Sequence, residues 1–359
     1  MKSSGYPRLT AIVSLVASIV IAAPVARGQQ CAGDVNGDGK VTVEDVLAVV
    51  NDALIGCTAN VSADQACTDV STANCARLDE CVANGTTIRY GHLTVCRARQ
   101  KQACLVRLGA ANTVNSPAAV EQCAAAVPSA SCDDFDQGDI VPCQAKMGTI
   151  ANGGACTYSG QCASSNCAIV SGTNCGTCAP PNQAGDSCAQ TSCSQGFVCV
   201  QDSMQCQPHA AAGNACDKDH PCSVGLSCVT PSGASEGTCQ LAGETLGTTC
   251  DPKHQSAPGC DSTAGLYCDA TTNTCLAVTY ADAPDQCGNV GGVSVVCTNA
   301  STCFGASGQT PGTCAADASD GKPCDTAAGP SCVPPARCVT GGPTMTSGTC
   351  RLPDPTMCN

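Results

Sequence analysis

Oxygen-bearing side chains fall at alternate positions in Asp34-Val35-Asn36-Gly37-Asp38-Gly39-Lys40-Val41-Thr42-Val43-Glu44-Asp45. Calcium wants about six to eight hard oxygens, and a loop of about 12 residues can supply them from alternate positions and its last residue, with glycine at the sharp turn. Asp34, Asn36 and Asp38 are the expected side-chain ligands. Lys40 offers its carbonyl, Thr42 acts through water, and Asp45 closes the shell. Ca2+ is therefore the expected cofactor. A helix is expected over 43–54, with Val46, Leu47, Val50 and Leu54 on one face. Cys31 and Cys57 flank the unit, where a bridge between them would hold the loop shut.

Other residues with chemical potential read as structural. Gly233-Ala234-Ser235-Glu236-Gly237 matches the G-x-S-x-G pattern, but a nucleophile elbow needs a buried strand before it and a helix after it. Here it lies between two close cysteines beside Thr230-Pro231. Cys175-Gly176-Thr177-Cys178 lacks the strand–helix–strand context of a redox pair. His92, His209, His220 and His254 are scattered and read as surface side chains. The acidic group Asp133, Asp134, Asp136 and Asp139 reads as an exposed helix-capping turn. No catalytic residue is expected, and the chain is read as a non-enzyme.

What must position these residues is a covalent frame. The chain holds 36 Cys among 359 residues, against 3 Phe, 5 Tyr and no Trp. Aromatic side chains normally dominate core burial, and modules that cannot build a sufficient core are stapled by disulfides instead. Thiolate metal sites would favour repeated C-x-x-C pairs with histidines, and only one such pair occurs. Lys2 and Arg8 precede an apolar run over 9–23, followed by Ala26-Arg27-Gly28, the pattern of a secretory signal peptide over 1–28. That run is short of the roughly 20 residues a membrane span needs. No later run is longer and apolar, so no membrane span is expected. Gly28-Gln29-Gln30 before Cys31 does not fit a lipid-attachment box. A formal charge of −13 argues against nucleic acid as a partner. The expected location is secreted or at the cell surface.

Three regions follow the signal: the calcium unit over 31–57, a disulfide-stapled helical domain over 61–148, and tandem four-cysteine repeats over 153–358. The expected fold class is small disulfide-rich modules, α-helical in the middle and irregular or short-β in the repeats. In the helical region Ser62 and Gln65 fit a capping box. Cys67, Val70, Cys75, Leu78 and Val82 then follow at helical spacing, and Asn84-Gly85 breaks the pattern. A second helix is expected over 90–108, and a third near 118–126. In an antiparallel hairpin, facing positions share one sum of residue numbers. The pairs Cys67 with Cys104 and Cys75 with Cys96 both give 171, which predicts two disulfide rungs. Cys81, Cys123, Cys132 and Cys143 remain to staple the third helix and the acidic turn.

Each repeat carries four cysteines, from Cys188, Cys193, Cys199 and Cys206 through to Cys324, Cys332, Cys338 and Cys350. Short words recur with them: Gly three residues before the first cysteine, Gly-Leu-x before the third, and Gly-Thr before the fourth. Four cysteines allow three pairings; first-to-third with second-to-fourth is the expected one. The first unit has five cysteines (Cys156, Cys162, Cys167, Cys175, Cys178), and Cys358 is left over at the tail. The odd cysteine either joins Cys358 across modules or one of the two is free or intermolecular.

Residues 33–56, with Gly33-Asp34-Val35-Asn36-Gly37-Asp38-Gly39, resemble the calcium-binding repeat of dockerin type I domains. That resemblance implies a cohesin-like partner, although a dockerin normally carries two such loops and this chain has one. Residues 153–350, by their Gly-x-x-Cys, Gly-Leu-x-Cys and Gly-Thr-Cys words, resemble bacterial secreted cysteine-rich repeat proteins with Dickkopf N-terminal-like repeats. The expected function is an exported, non-catalytic binding or structural protein of the cell surface or extracellular matrix, its partner a protein or cell-surface ligand. Two alternatives are a multi-headed inhibitor of secreted hydrolases, using loops such as 229–238 and 339–349, and dockerin-type attachment through residues 31–57.

Overall fold

The computed structural model describes residues 61–358, apart from 170–171, 189–192, 195–196, 201–202 and 343–344. These residues belong to one compact unit, in which a helical hub carries the cysteine repeats.

The hub begins with α1 (Ala63–Cys81), whose first turn is capped by Ser62 Oγ accepting the Gln65 N–H at 3.1 Å. The reciprocal half of the expected capping box is absent, because the Gln65 amide instead donates to Asp69 one turn along. Ala66, Cys67, Val70, Ser71, Cys75 and Leu78 form the buried stripe of α1. The Asn84-Gly85 break is a turn into a further short helix, α2 (Gly85–Tyr90), entered through Asn84 at φ 58°. The Asp79 carboxylate fixes α2 by accepting both the N–H and the hydroxyl of Thr86 at 2.8 Å. Gly91, at φ 79°, ends it. The second long helix, α3 (Leu93–Leu108), therefore starts three residues later than the pattern predicts. Apolar spacing ran through the turn because Tyr90 is itself buried, 5 % exposed.

The two rungs Cys67–Cys104 and Cys75–Cys96 tie α1 to α3, with Cα separations of 5.5 and 6.1 Å. Ser116 caps α4 (Pro117–Ala126), and Ser131 caps α5 (Cys132–Gln137). Cys81–Cys132 and Cys123–Cys143 fasten these two helices and the segment after them. The expected acidic turn is present: Asp134 accepts the Ser131 hydroxyl, and Asp133 accepts the Gln137 amide.

The repeats share one frame. The third and fourth cysteines stand directly opposite each other on an antiparallel hairpin, as Cys228↔Cys239 and Cys338↔Cys350 illustrate. They are not bonded to each other. The third bonds the first and the fourth bonds the second, as in Cys216–Cys228 and Cys222–Cys239. The same first-to-third, second-to-fourth pairing holds in every repeat. In the first unit it uses Cys156–Cys167 and Cys162–Cys178, which leaves Cys175 for Cys358. No described cysteine is free.

The recurring words are the geometry of this frame. The glycines three residues before the first cysteine, Gly213 among them, have φ between 77° and 89°, a region costly for side chains with a Cβ. Each donates its N–H to the carbonyl of the fourth cysteine, as Gly213 does to Cys239 at 2.8 Å. The glycine of Gly-Thr-Cys has another reason. A Cβ on Gly237 would lie 2.5 Å from the carbonyl oxygen of Val229 on the facing arm, so only glycine lets the two arms of the hairpin lie this close. Half-cystines fill the repeat interiors, the four of the first unit forming one buried cluster with Ile150 and Ile169 against it. This unit begins before residue 153, since Gly148 and Ile150 already pair with the Gln161–Cys162 backbone.

The repeats dock on the hub at successive places. Val224 donates to Asp133, Ala83 to the Thr263 carbonyl, and Ala300 to the Thr87 carbonyl. Arg99 forks onto Asp320 at 2.6 and 2.7 Å and also donates to the carbonyls of Val333 and Pro334. Val333 packs against the hub cluster of Cys75, Leu78, Tyr90 and Cys96. The first unit is held to the end of α3 by Gln161, which donates to the Ala111 carbonyl. The tail then returns: Tyr158 donates to the Pro353 carbonyl, Asn174 to that of Leu352, and Cys358 bonds Cys175. The repeats thus form a covalently closed path of 183 residues, and the units named above lean on one helical hub.

Candidate binding cleft in the helical hub

The calcium ligands expected from the sequence, Asp34, Asn36, Asp38, Lys40, Thr42 and Asp45, lie outside the described residues, as does the Cys31, Cys57 pair.

The other sequence candidates resolve as structure. Ser235 of the G-x-S-x-G match sits in an exposed hairpin loop between the strands Leu226–Val229 and Gly237–Leu241, with no helix after it. Cys175 and Cys178 bond different partners and form no redox pair. The sulfur clusters that could suggest a metal site are disulfide pairs packed side by side. Sequence reasoning missed one contact, Ser227 Oγ with His254 Nδ1 at 3.2 Å. It resembles a nucleophile–base pair, but Ser227 is 7 % exposed and also accepts the Gly259 N–H. The His254 ring packs so close to Gly259 that a Cβ there would fall 2.5 Å from Nε2. No room remains for a substrate, and the pair fastens one repeat to the next.

A concavity of about 360 Å³ lies in the hub. Its walls follow from helical spacing. Along α1, Val70, Asn74 and Leu78 form one stripe; along α3, Cys96, Gln100, Cys104 and Leu108 form another. Each stripe is apolar except for one amide. Residues four apart stack on one helix face, so the two stripes face the same space. From α4 come Ala119, Val120 and Cys123, and from the last segment Phe135, Ile140, Pro142 and Cys143. Tyr90 sits at the floor, its hydroxyl accepting from the Gln100 amide at 2.7 Å.

Three disulfides border the cleft. Cys96, Cys104, Cys123 and Cys143 line it, so Cys75–Cys96, Cys67–Cys104 and Cys123–Cys143 fix the spacing of its walls. Arg89, Arg107 and Lys146 also line it, and no Asp or Glu does. The hub's described ion pairs take up Arg77, Arg99 and Lys101, and none of the three cleft cations. Arg107 lies over the ring of Tyr158, 5.6 Å from its centroid. Burial pushes the Tyr158 hydroxyl above its ordinary pKa, against the pull of Arg107.

No family model, curated protein or solved structure matches this chain.

The cleft residues were half visible in the sequence. Helical spacing places Val70, Leu78, Cys96 and Cys104 on the contact faces of the hairpin. Gln100, Asn74 and the three cations were not singled out, although an amide interrupting an otherwise apolar stripe was the available signal.

Proposed function

We propose that this is an exported, non-catalytic binding protein whose hub cleft is held ready for a small ligand. The observation that carries the reading is the border of three disulfides around an apolar floor. A cavity of this size is typical of small-molecule sites, which run from about 300 Å³ upward. Fixing its walls covalently removes ordering costs that binding would otherwise incur. The paired cysteines favour an oxidising compartment, and among the described residues no helix is long and apolar enough to cross a membrane. In this reading residues 31–57 are a dockerin-like calcium clip, and the repeats, Dickkopf-like in pattern, are the rigid surround. A fluorine-detected fragment screen by NMR tests it, comparing the oxidised protein with Val120→Trp, which fills the cleft. Fragments that bind the wild type and not the variant support the reading. An empty screen, or fragments indifferent to the substitution, sinks it.

Inhibition of a secreted hydrolase is a second reading, favoured by the exposed residues 231–236 between the staples Cys216–Cys228 and Cys222–Cys239. It predicts that cleavage within 231–236 by a target protease is slow and leaves the two flanking strands joined, as seen by non-reducing mass spectrometry.

A further inference from the structure

The hub cleft has a charge pattern unlike that of the repeats. Residues 153–358 carry 15 Asp and Glu against five Lys and Arg. The cleft has Arg89, Arg107 and Lys146, with no carboxylate in its lining. Arg89, Arg107 and Lys146 are all exposed, so they stand at the mouth, whereas Val70, Leu78 and Ile140 are buried below them. A largely apolar floor under a cationic rim is complementary to a molecule with an apolar body and an anionic end.

We propose that the cleft binds a free amphipathic monocarboxylate of medium chain length. The proposal rests on the reading of the cleft as a binding site and adds the class of ligand. The tail packs on the floor formed by Val70, Leu78, Val120 and Ile140, and the carboxylate meets the rim cations. Charge-assisted hydrogen bonds from Arg suit a carboxylate. An inorganic anion would leave the floor bare. An amphipathic helix, about 10 Å or more across with its side chains, does not fit a space of about 360 Å³. Beneath the tail the Gln100 amide donates to the Tyr90 hydroxyl at 2.7 Å, so these two polar side chains are partnered with each other.

Isothermal titration calorimetry on the oxidised full-length protein tests this with hexanoate, octanoate, octan-1-ol and inorganic phosphate at neutral pH. Octanoate is expected to bind about tenfold more tightly than octan-1-ol, since a hydrogen bond to a charged group contributes about one and a half kcal/mol or more. Two methylenes separate hexanoate from octanoate, and at about fourfold each they give roughly fifteenfold. In the double variant Arg89→Gln/Lys146→Gln the octanoate to octanol ratio should fall toward one. Because both side chains are exposed, that variant is expected to fold, which its melting curve checks. Raised salt should weaken octanoate alone, as screening at a surface site requires. Equal affinity for octanol and octanoate overturns the ligand class and leaves the cleft reading standing. Phosphate competing as well as octanoate overturns the role of the floor. Octanoate binding that survives Val120→Trp, or no binding of octanoate at all, overturns the proposal, while fragments lost in Val120→Trp would still support the cleft.

Discussion

Two glycines in one repeat, Gly213 and Gly237, are required for different reasons, and substitution separates them. Gly213 has φ 80° with open space around the position of a Cβ, so alanine there suffers only the left-handed penalty, about 1–2 kcal/mol. Gly237 has no such φ, but its Cβ would strike the Val229 carbonyl. Gly237→Ala must push a strand away from its partner, and overpacking of this kind costs about 1–3 kcal/mol. Denaturant unfolding without reductant should show both losses, and only Gly237→Ala should also lengthen protease exposure of the 230–236 loop. Asp325 offers a test by pH. Its carboxylate accepts from Ser347, Thr346 and the N–H groups of Ala327 and Ala328, and these bonds hold its pKa down at about 2. The folded value lies below the unfolded one, about 3.9. Its stabilisation is therefore present above about pH 4 and lost as pH falls toward 2. Asp217, Asp251, Asp269 and Asp354 are lowered in the same sense by similar turns. The contribution of Asp325 is thus read by difference: the gap in melting temperature between wild type and Asp325→Asn should close between pH 4 and 2. A gap that stays constant would refute it.

At the scale of elements, the hub shows what crosslinks replace. The α1–α3 interface buries two disulfides where a larger domain would bury aromatics. Docking of the sixth repeat, the one of Cys324 to Cys350 counting the first unit as one, rests on the packing of Val333 and on Arg99, which serves Asp320, Val333 and Pro334 together. The guanidinium is mostly buried in this contact, its side chain 15 % exposed. Arg99→Ala should cost about 2 kcal/mol, the range for hydrogen bonds to charged groups that leave buried carbonyls unpaired. Amide hydrogen exchange should rise around Val333 and Ala336 in that variant and stay unchanged in the first unit. Uniform exchange across both would mean that the sixth repeat docks by other contacts.

Over the whole molecule, the bond Cys175–Cys358 joins the first unit to the tail across 183 residues. Closing a long loop constrains the unfolded chain most, and the chain-entropy estimate is on the order of 5 kcal/mol. Internal disulfides already shorten the free path, so the measured value should fall at or below that. Cys175→Ser/Cys358→Ser should lower the denaturation midpoint without changing the remaining disulfides by mass mapping. Its tail over 351–358 should become the first site of limited proteolysis. The calcium unit makes a separate prediction: calorimetry of the full chain should show calcium binding that Asp34→Ala removes, and binding indifferent to that change would sink the loop assignment.

The sequence alone determined the local rules. Cysteine spacing set the hairpin ladder, because helical periodicity relates 67 with 104 and 75 with 96 by arithmetic. Recurrence of four cysteines and three glycine words determined the repeat frame, because each repeat closes its own bonds over spans of 11 to 18 residues. What the words were for was hidden, since a positive φ and a carbonyl contact at Gly237 exist only once strands lie side by side. The short helix α2 was missed because buried Tyr90 continued the periodicity through a turn. The partner of Cys175, the seating of the repeats on the hub and the cationic mouth of the cleft were decided by tertiary structure. Each joins residues far apart in the chain, Arg99 with Asp320 or Arg89 with Lys146, and no local pattern encodes which distant groups will share a surface.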